Sequence, residues 1–319
     1  MPLYNCENTI ESSIRSIKYQ NFTKIEIILI NDFSNDNTSN IIRNIQTNDN
    51  RINIVDNKSN KGTLYSRSIG VLMDRGKYIF NLDNDDMYFD LNVFDYIYKK
   101  ANYEKLDIVG FLTVNIYNYS CNINRMKHIY TYQYKEDLFI RQPKLSSWMI
   151  KYKGKFLVHN NMIWDKCIKS KIYKKALYFM GYLRISTFIV WAEDTSVLFI
   201  IFKLAKSFQY IYKYGITHFK GNITASKTQS IESKIFSDIF FLDIIFDFSK
   251  NNNKMKNLII GQALYIYKRY NYNKYNNDAN SIYMRFILNK IIKCKYINKK
   301  NKRKIKKISN DFFIYNSND

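Results

Sequence analysis

The stretch Ile25-Glu26-Ile27-Ile28-Leu29-Ile30-Asn31-Asp32-Phe33-Ser34-Asn35-Asp36-Asn37-Thr38 decides the fold class. It opens as an apolar run and ends in polar turn formers, the pattern of a strand buried in a sheet. Upstream, Ile10, Ile14 and Ile17 recur at helical spacing, with Asn8 or Thr9 available as a cap. Downstream, a helix over residues 38–46 leads to a short strand at 52–55, a helix at 63–75 and a strand at 77–82. A helix at 92–104 and a strand at 107–111 continue the alternation. Strands and helices alternating at these lengths predict an α/β fold, a mostly parallel, Rossmann-like sheet with helices on both faces. Ligands of such sheets bind beyond the carboxyl ends of the strands. There the sequence places its polar clusters: Asn31-Asp32, Asp56-Asn57 and Asp83-Asn84-Asp85-Asp86.

Residues 113–160 carry short strand-like pieces and aromatic loops. A strong helix begins near Glu193, with Val197, Ile201 and Leu204 on one face. From Ser230 the pattern is helical throughout and ends in the basic run Lys299-Lys300-Asn301-Lys302-Arg303-Lys304-Ile305-Lys306-Lys307. The domain reading is an α/β region at 1–225, which carries the polar strand ends, and a helical region with a basic tail at 226–319. Hydrophobic content of 46% and 17% aromatic residues supply a sizeable core and exclude wholesale disorder. Lysine is abundant in every segment, so the net charge of +23 does not by itself name a partner, although a basic surface gathers phosphates and anionic lipids. The four cysteines lie far apart, without the paired spacing of a zinc site or a redox dithiol. The most apolar region, 177–202, is interrupted by Arg184, Glu193 and Asp194, which argues against a membrane span. The expected compartment is the cytoplasm. The basic tail is either a solvated charge run or a peripheral attachment to an anionic membrane.

Four clusters could carry chemistry. Asp83, Asp85 and Asp86 at a strand end repel one another unless a cation intervenes, and oxygen-only clusters suit Mg²⁺ or Mn²⁺; the alternative is a solvated acidic turn. Asp32, fixed at the end of a buried strand, can accept the N3–H of uracil, or the equivalent donor of thymine or guanine; the alternative is an Asx turn capping the next helix. In Asn60-Lys61-Gly62-Thr63-Leu64-Tyr65-Ser66-Arg67-Ser68-Ile69-Gly70, Gly62 permits a tight entry into a helix whose free N–H groups favour an anion, with Lys61 and Arg67 adding charge. Glu193-Asp194 opens an apolar helix and offers a general base for an acceptor hydroxyl, or ordinary acidic capping.

Taken together and in this order, the clusters resemble the inverting family 2 glycosyltransferases of GT-A fold. Pro2-Leu3-Tyr4-Asn5 is similar to that family's P-x-Y-N turn, and ILINDFSNDNT at 28–38 to its V-D-D-x-S-x-D-x-T segment. Residues 60–70 resemble N-x-G-x-x-x-x-R-x-x-G, KYIFNLDNDD at 77–86 resembles the strand and D-x-D-D metal motif, and Glu193-Asp194 the E-D base motif. The resemblance spans residues 1 to about 220. It implies that Tyr4 and Asp32 contact the nucleobase, that Asp83 serves the ribose, and that Arg67 lies near the donor phosphates. It further implies that Asp85 and Asp86 hold Mn²⁺ or Mg²⁺, that His218 joins the metal or closes over the diphosphate, and that Asp194, beside Glu193, is the base. Trp164 lies where acceptor loops sit, as a sugar-stacking ring or a buried one.

The activity so implied is a metal-assisted single displacement that moves a sugar from a nucleoside-diphosphate sugar, with UDP expected, to a saccharide, lipid or protein acceptor, inverting the anomeric carbon. Two rivals remain at this point. A nucleotidyltransferase of the same fold would carry a Gly-rich basic loop after its first strand, which Tyr4-Asn5-Cys6-Glu7-Asn8 is not. A basic nucleic-acid-binding protein would draw on the net charge and many tyrosines, yet the carboxylates cluster where phosphates would have to lie, so no nucleic acid is expected. Two departures from the family pattern stand out. Asn31 replaces its first aspartate, and Met1 stands where an apolar first, central strand should precede Pro2, so nothing is expected beside the strand at 25–30.

Overall fold

The computed structural model describes residues 1–117, 127–131, 138–142, 151–152, 155–156, 162–190, 193–220, 230–249, 256–270, 278–294 and 297–311. In chain order the elements begin with β1 (Pro2–Leu3), α1 (Ile10–Lys18), β2 (Ile27–Asn31), α2 (Thr38–Gln46), β3 (Ile52–Asp56) and α3 (Thr63–Met73). There follow β4 (Tyr78–Phe80), β5 (Met87–Tyr88), α4 (Val93–Tyr103), β6 (Ile108–Tyr117), β7 (Lys127–Thr131), β8 (Leu138–Arg141), β9 (Lys151–Tyr152) and β10 (Lys155–Phe156). The remainder comprises β11 (Lys166–Lys169), α5 (Ser170–Met180), α6 (Tyr182–Ile185), α7 (Glu193–Leu204), β12 (Ser207–Lys220), α8 (Ile231–Ser249), α9 (Lys256–Tyr270), α10 (Asp278–Lys293) and α11 (Lys299–Asp311). Two compact units emerge, one built from 1–146, 162–189 and 201–224, the other from 147–161, 190–200 and 225–319.

The first unit holds the predicted α/β architecture. β1, β2 and β3 form a parallel sheet in that order. A second, mixed sheet runs β4-β11-β6-β12-β5, with β7 added on β6 and β8 on β12. Its parallel pair is β6 with β12, while β11 and β5 join antiparallel. Ile10, Ile14 and Ile17 bury one face of α1 against Leu29, Ile97 and Phe111 in a single core cluster, as their spacing requires.

The N-terminus differs from expectation. Met1 to Leu3 do lie beside β2: Pro2 pairs with Ile30 and Leu3 with Asn31. The Met1 amine donates to the Ile28 carbonyl at 2.8 Å, and Ile30 N–H to the Met1 carbonyl at 3.0 Å. A stub of strand therefore occupies the top of the slot. Below it, a cavity of about 190 Å³ separates residues 24–28 from β4 and is lined by Ile25, Ile27, Tyr78, Phe80, Phe94 and Tyr98 among others.

The second unit is largely helical. α8 is buried almost all round from Ser237 to Phe246 and packs on α9 and α10. The basic run is not a loose tail. It forms α11, whose Ile305 and Ile308 are buried while Lys304, Lys306 and Lys307 point to solvent. Apolar residues three apart give a helix one buried stripe even in so charged a sequence. Among the described residues no helix is long and apolar enough to cross a membrane.

Candidate active site

The first unit gathers most of the expected site at the carboxyl ends of β2 and β4. Asp32, just past β2, is 4% exposed. Its Oδ1 accepts from Asn57 Nδ2 at 2.7 Å and from Lys61 N–H at 2.8 Å, and its Oδ2 from Gly62 N–H at 2.8 Å. The carboxylate thus fixes the loop leading into α3. Gly62 is needed there, with φ at 84° and a Cβ that would come within 3.1 Å of the Ile189 carbonyl. Asp32 N–H donates to the Leu3 carbonyl at 2.8 Å, which brings the Tyr4-Asn5 turn alongside the end of β2. Asn5 N–H bonds Ser34 Oγ, Asn35 N–H bonds Asn5 Oδ1, and Tyr4 is left 46% exposed beside them.

Asn31 explains its own departure from the family pattern. Its register partner across β2 and β3 is Asp56, and its Nδ2 donates to Asp56 Oδ1 at 2.8 Å. An aspartate at 31 would face Asp56 as a like charge.

The loop of residues 83–86 is anchored from several sides. Asp86 N–H closes a turn on the Asp83 carbonyl, and Ser13 Oγ on α1 donates to the Asn84 carbonyl at 2.9 Å. Arg67, buried on α3, donates through Nη2 to Asp83 Oδ1 at 3.1 Å. The pairing of β12 with β5 sets Ile216 opposite Tyr88 and Thr217 opposite Met87, so His218 arrives beside Asp86. His218 Nδ1 lies 2.9 Å from Asp86 Oδ1, which also accepts Phe219 N–H at 3.2 Å. Trp164, itself buried, stacks on the imidazole with ring centroids 5.1 Å apart. It backs the histidine, the buried one of the two alternatives the sequence left open for this ring.

Electrostatics separate the three carboxylates. Burial, then the charges of Asp86 and Asp83, push Asp85 up to about 7, against a weaker opposing pull from His218. Burial also raises Asp86, held back by His218. The His218 ring is disfavoured as a cation by burial, but Asp86, then Asp83 and Asp85, outweigh that and raise it. Among the described residues no three His, Cys, Asp or Glu side chains are already drawn together as a ligand cage. Asp85 is nevertheless the kind of carboxylate that fits a divalent cation, because its anionic form lacks the compensation that Asp32 enjoys. Glu193 and Asp194 open α7 at residues counted with the second unit; Glu193 is buried and Asp194 half-buried. Sequence reasoning placed Asn57 at a strand end without its bond to Asp32 and missed Ser13, because both roles depend on contacts formed only in the fold. It also missed the buried ion pair of Lys166 with Asp165.

The model of the family described as glycosyl transferase family 2 matches residues 1–178. The chain belongs to that family. An uncharacterized glycosyltransferase EpsJ of Bacillus subtilis is 36% identical over 110 residues, 34% of this chain and 31% of that protein. The Escherichia coli protein named UDP-Glc:alpha-D-GlcNAc-diphosphoundecaprenol beta-1,3-glucosyltransferase WfaP is 39% identical over 83 residues, 26% of this chain and 32% of its own. The chain thus spans about a third of the length of these curated relatives. The fold as a whole is similar to S. aureus TarS residues 1–349, solved in complex with UDP-GlcNAc, with a TM-score of 0.67 at 12% identity over 98% of this chain and 87% of that one. The GT-A fold expected from the motifs is the fold observed.

Proposed function

We propose that the protein transfers a hexose from a UDP-sugar to the hydroxyl of a saccharide carried on a lipid diphosphate, with inversion. The observation that carries this is the pair of strand ends: Asp32, held by three protein donors beside the exposed Tyr4, and Asp85, set between Asp83, paired with Arg67, and Asp86, paired with His218. The relative that acts with UDP-glucose on a diphosphoundecaprenol-linked sugar supports the donor and acceptor classes. Tyr4 and the remaining acceptor site on Asp32 receive the uracil; about four lone-pair sites on a carboxylate less three protein donors leave one. Asp83, steadied by Arg67, takes the ribose. Asp85 and, behind it, the Asp86–His218 pair would hold Mn²⁺ or Mg²⁺, which when bound neutralises charge on the departing diphosphate.

Asp194 takes the proton from the acceptor hydroxyl, the oxygen forms a bond to the anomeric carbon, and the bond from that carbon to the diphosphate oxygen breaks with its electrons on UDP. Glu193 supports the base at the N-terminus of α7, where the helix dipole favours the carboxylate. The test is a panel of nucleotide-sugars with Mn²⁺, scored by thermal shift and by transfer to a diphosphoundecaprenol-linked acceptor. UDP-hexoses should stabilise and turn over. Equal shifts with CDP, or shifts indifferent to EDTA, would overturn the assignment. Asp194→Asn should keep UDP binding while turnover falls roughly a hundredfold or more. Collapse of donor affinity with surviving turnover would make Asp194 a binding residue.

A further inference from the structure

The surface formed by α5 and α6 departs from what a solvated helix pair should present. α5 buries Ser170, Tyr173, Ala176, Leu177 and Met180, the inward stripe of an amphipathic helix. Its outward face starts as expected with Lys171 and Lys175, but continues with Tyr178 and Phe179. Gly181, at φ 84° and with open space where a Cβ would sit, breaks the helix and starts α6, which holds Tyr182 and Leu183 outward; Phe188 follows. Tyr178, Tyr182 and Leu183 are 82%, 72% and 86% exposed. Exposed apolar side chains gathered within about ten residues of one helix pair mark an interaction site.

Charge identifies the partner. From Lys166 to Ala192 the sequence holds six cations, Lys166, Lys169, Lys171, Lys174, Lys175 and Arg184, and no carboxylate. Lys166, Lys169 and Lys174 pair with Asp165, Asp107 and Asp74, so the outward charge of α5 is carried by the exposed Lys171 and Lys175. Lys175 Nζ lies 5.8 Å from the Phe179 ring. Cations, tyrosines that are apolar in body and polar at the tip, and a protruding leucine are the combination that sits at a lipid headgroup boundary.

We propose that α5 and α6 form a membrane-docking wedge, with Leu183, Tyr182 and Tyr178 entering the interface of an anionic bilayer and Lys171 and Lys175 resting on its phosphates. This assigns peripheral attachment to the first unit instead of to the basic run of α11. It does not depend on the chemistry at residues 83–86. The test is co-sedimentation of the full chain, without nucleotide-sugar, with vesicles of phosphatidylcholine alone or mixed with phosphatidylglycerol. Binding should require the anionic lipid. Tyr182→Ser with Leu183→Ser should lower partitioning roughly tenfold or more, the size of losing buried apolar side chains, with the melting temperature unchanged because both residues are exposed. Lys171→Gln with Lys175→Gln should weaken binding and flatten its salt dependence. Leu183→Trp should show a blue-shifted emission on anionic vesicles. An unshifted Leu183→Trp spectrum, or binding abolished only by Lys304→Gln, Lys306→Gln and Lys307→Gln on α11, would overturn the proposal. So would a Tyr182→Ser, Leu183→Ser protein that changes oligomeric state while keeping its vesicle binding, since the wedge would then be a contact between copies of the chain.

Discussion

Asp32 follows β2 of the parallel sheet and Asp85 follows β4 of the mixed one, and the fold treats the two carboxylates oppositely. Asp32 is surrounded by donors: an asparagine amide and two backbone N–H groups. Asp85 is surrounded by carboxylates, and its own proton is held to about 7. A carboxylate held by three protein donors is a structural tie that a ligand can share through its remaining lone pair. A carboxylate left among like charges is a vacancy for positive charge. The same residue type, beyond the ends of strands in two different sheets, is read by its neighbours.

The sharpest way to break this contrast is Asp32→Ala. It removes the carboxylate partner of Lys61 N–H outright and leaves Asn57 Nδ2 with Ser66 Oγ and Gly62 N–H with Asn60 Oδ1, so stability should fall by about 2 kcal/mol in urea unfolding. A fall under about 1 kcal/mol would mean that water replaces the carboxylate easily and that the tie is weak. Asp85→Asn should do the reverse in metal-free protein, raising stability by about 1 kcal/mol through relief of repulsion. In the same variant the Mn²⁺-dependent part of UDP stabilisation should vanish; in the parent that part approaches about 2.7 kcal/mol at a hundred times Kd. Unaltered Mn²⁺ dependence in Asp85→Asn would remove Asp85 from the metal.

The Met1 amine tests burial of a charge on a third group. Burial, then Arg67, lowers it from 8.0 to about 5, against an opposing pull from Asp83. Lys24, Glu26, Asp74 and Lys77 also line the cavity beside it. Between these values the unfolded chain carries a proton that the folded chain does not. Stability should therefore climb as pH rises from 5 to 8, and acetylating the amine should flatten that climb. A slope indifferent to acetylation would show that the amine is solvated. The smallest effect is expected from Asn31→Asp. Its new charge faces Asp56, but the Asp56 partner Arg43, at 2.6 Å, absorbs part of the repulsion, leaving a cost of about 1 kcal/mol or less.

Local pattern carried the first half of the fold. The helices at 10–18, 38–46, 63–73 and 93–103 and the strands β2, β3 and β4 fall within a few residues of where periodicity and turn chemistry put them. The acidic strand ends were legible for the same reason. What pattern could not give were pairings between distant segments. His218 meets Asp86 only because β12 runs antiparallel to β5, and Trp164 stacks on His218 only because both belong to that sheet's surroundings. The three donors to Asp32 include two backbone N–H groups, which no side-chain motif encodes. The basic run hid its buried stripe because Ile305 and Ile308 are two apolar residues among many lysines. The sequence also sets His159, Asn160 and Asn161 a few residues before Trp164, and Trp191 just before Glu193, and these four lie outside the described residues.

The cavity beneath Met1 has a bearing on how the protein is handled in the laboratory. Anything joined to that amine, whether a purification tag or a leader from another start codon, emerges between two apolar strand edges. A flexible, charged tag has to thread the slot lined by Ile25, Ile27 and Phe80 or bend sharply away at its first residue. A leader of about five apolar, β-branched residues can instead lie down as an extended strand against the apolar lining of that cavity. Tags therefore belong at the other end of the chain, and the residues placed before Met1 should be chosen as core.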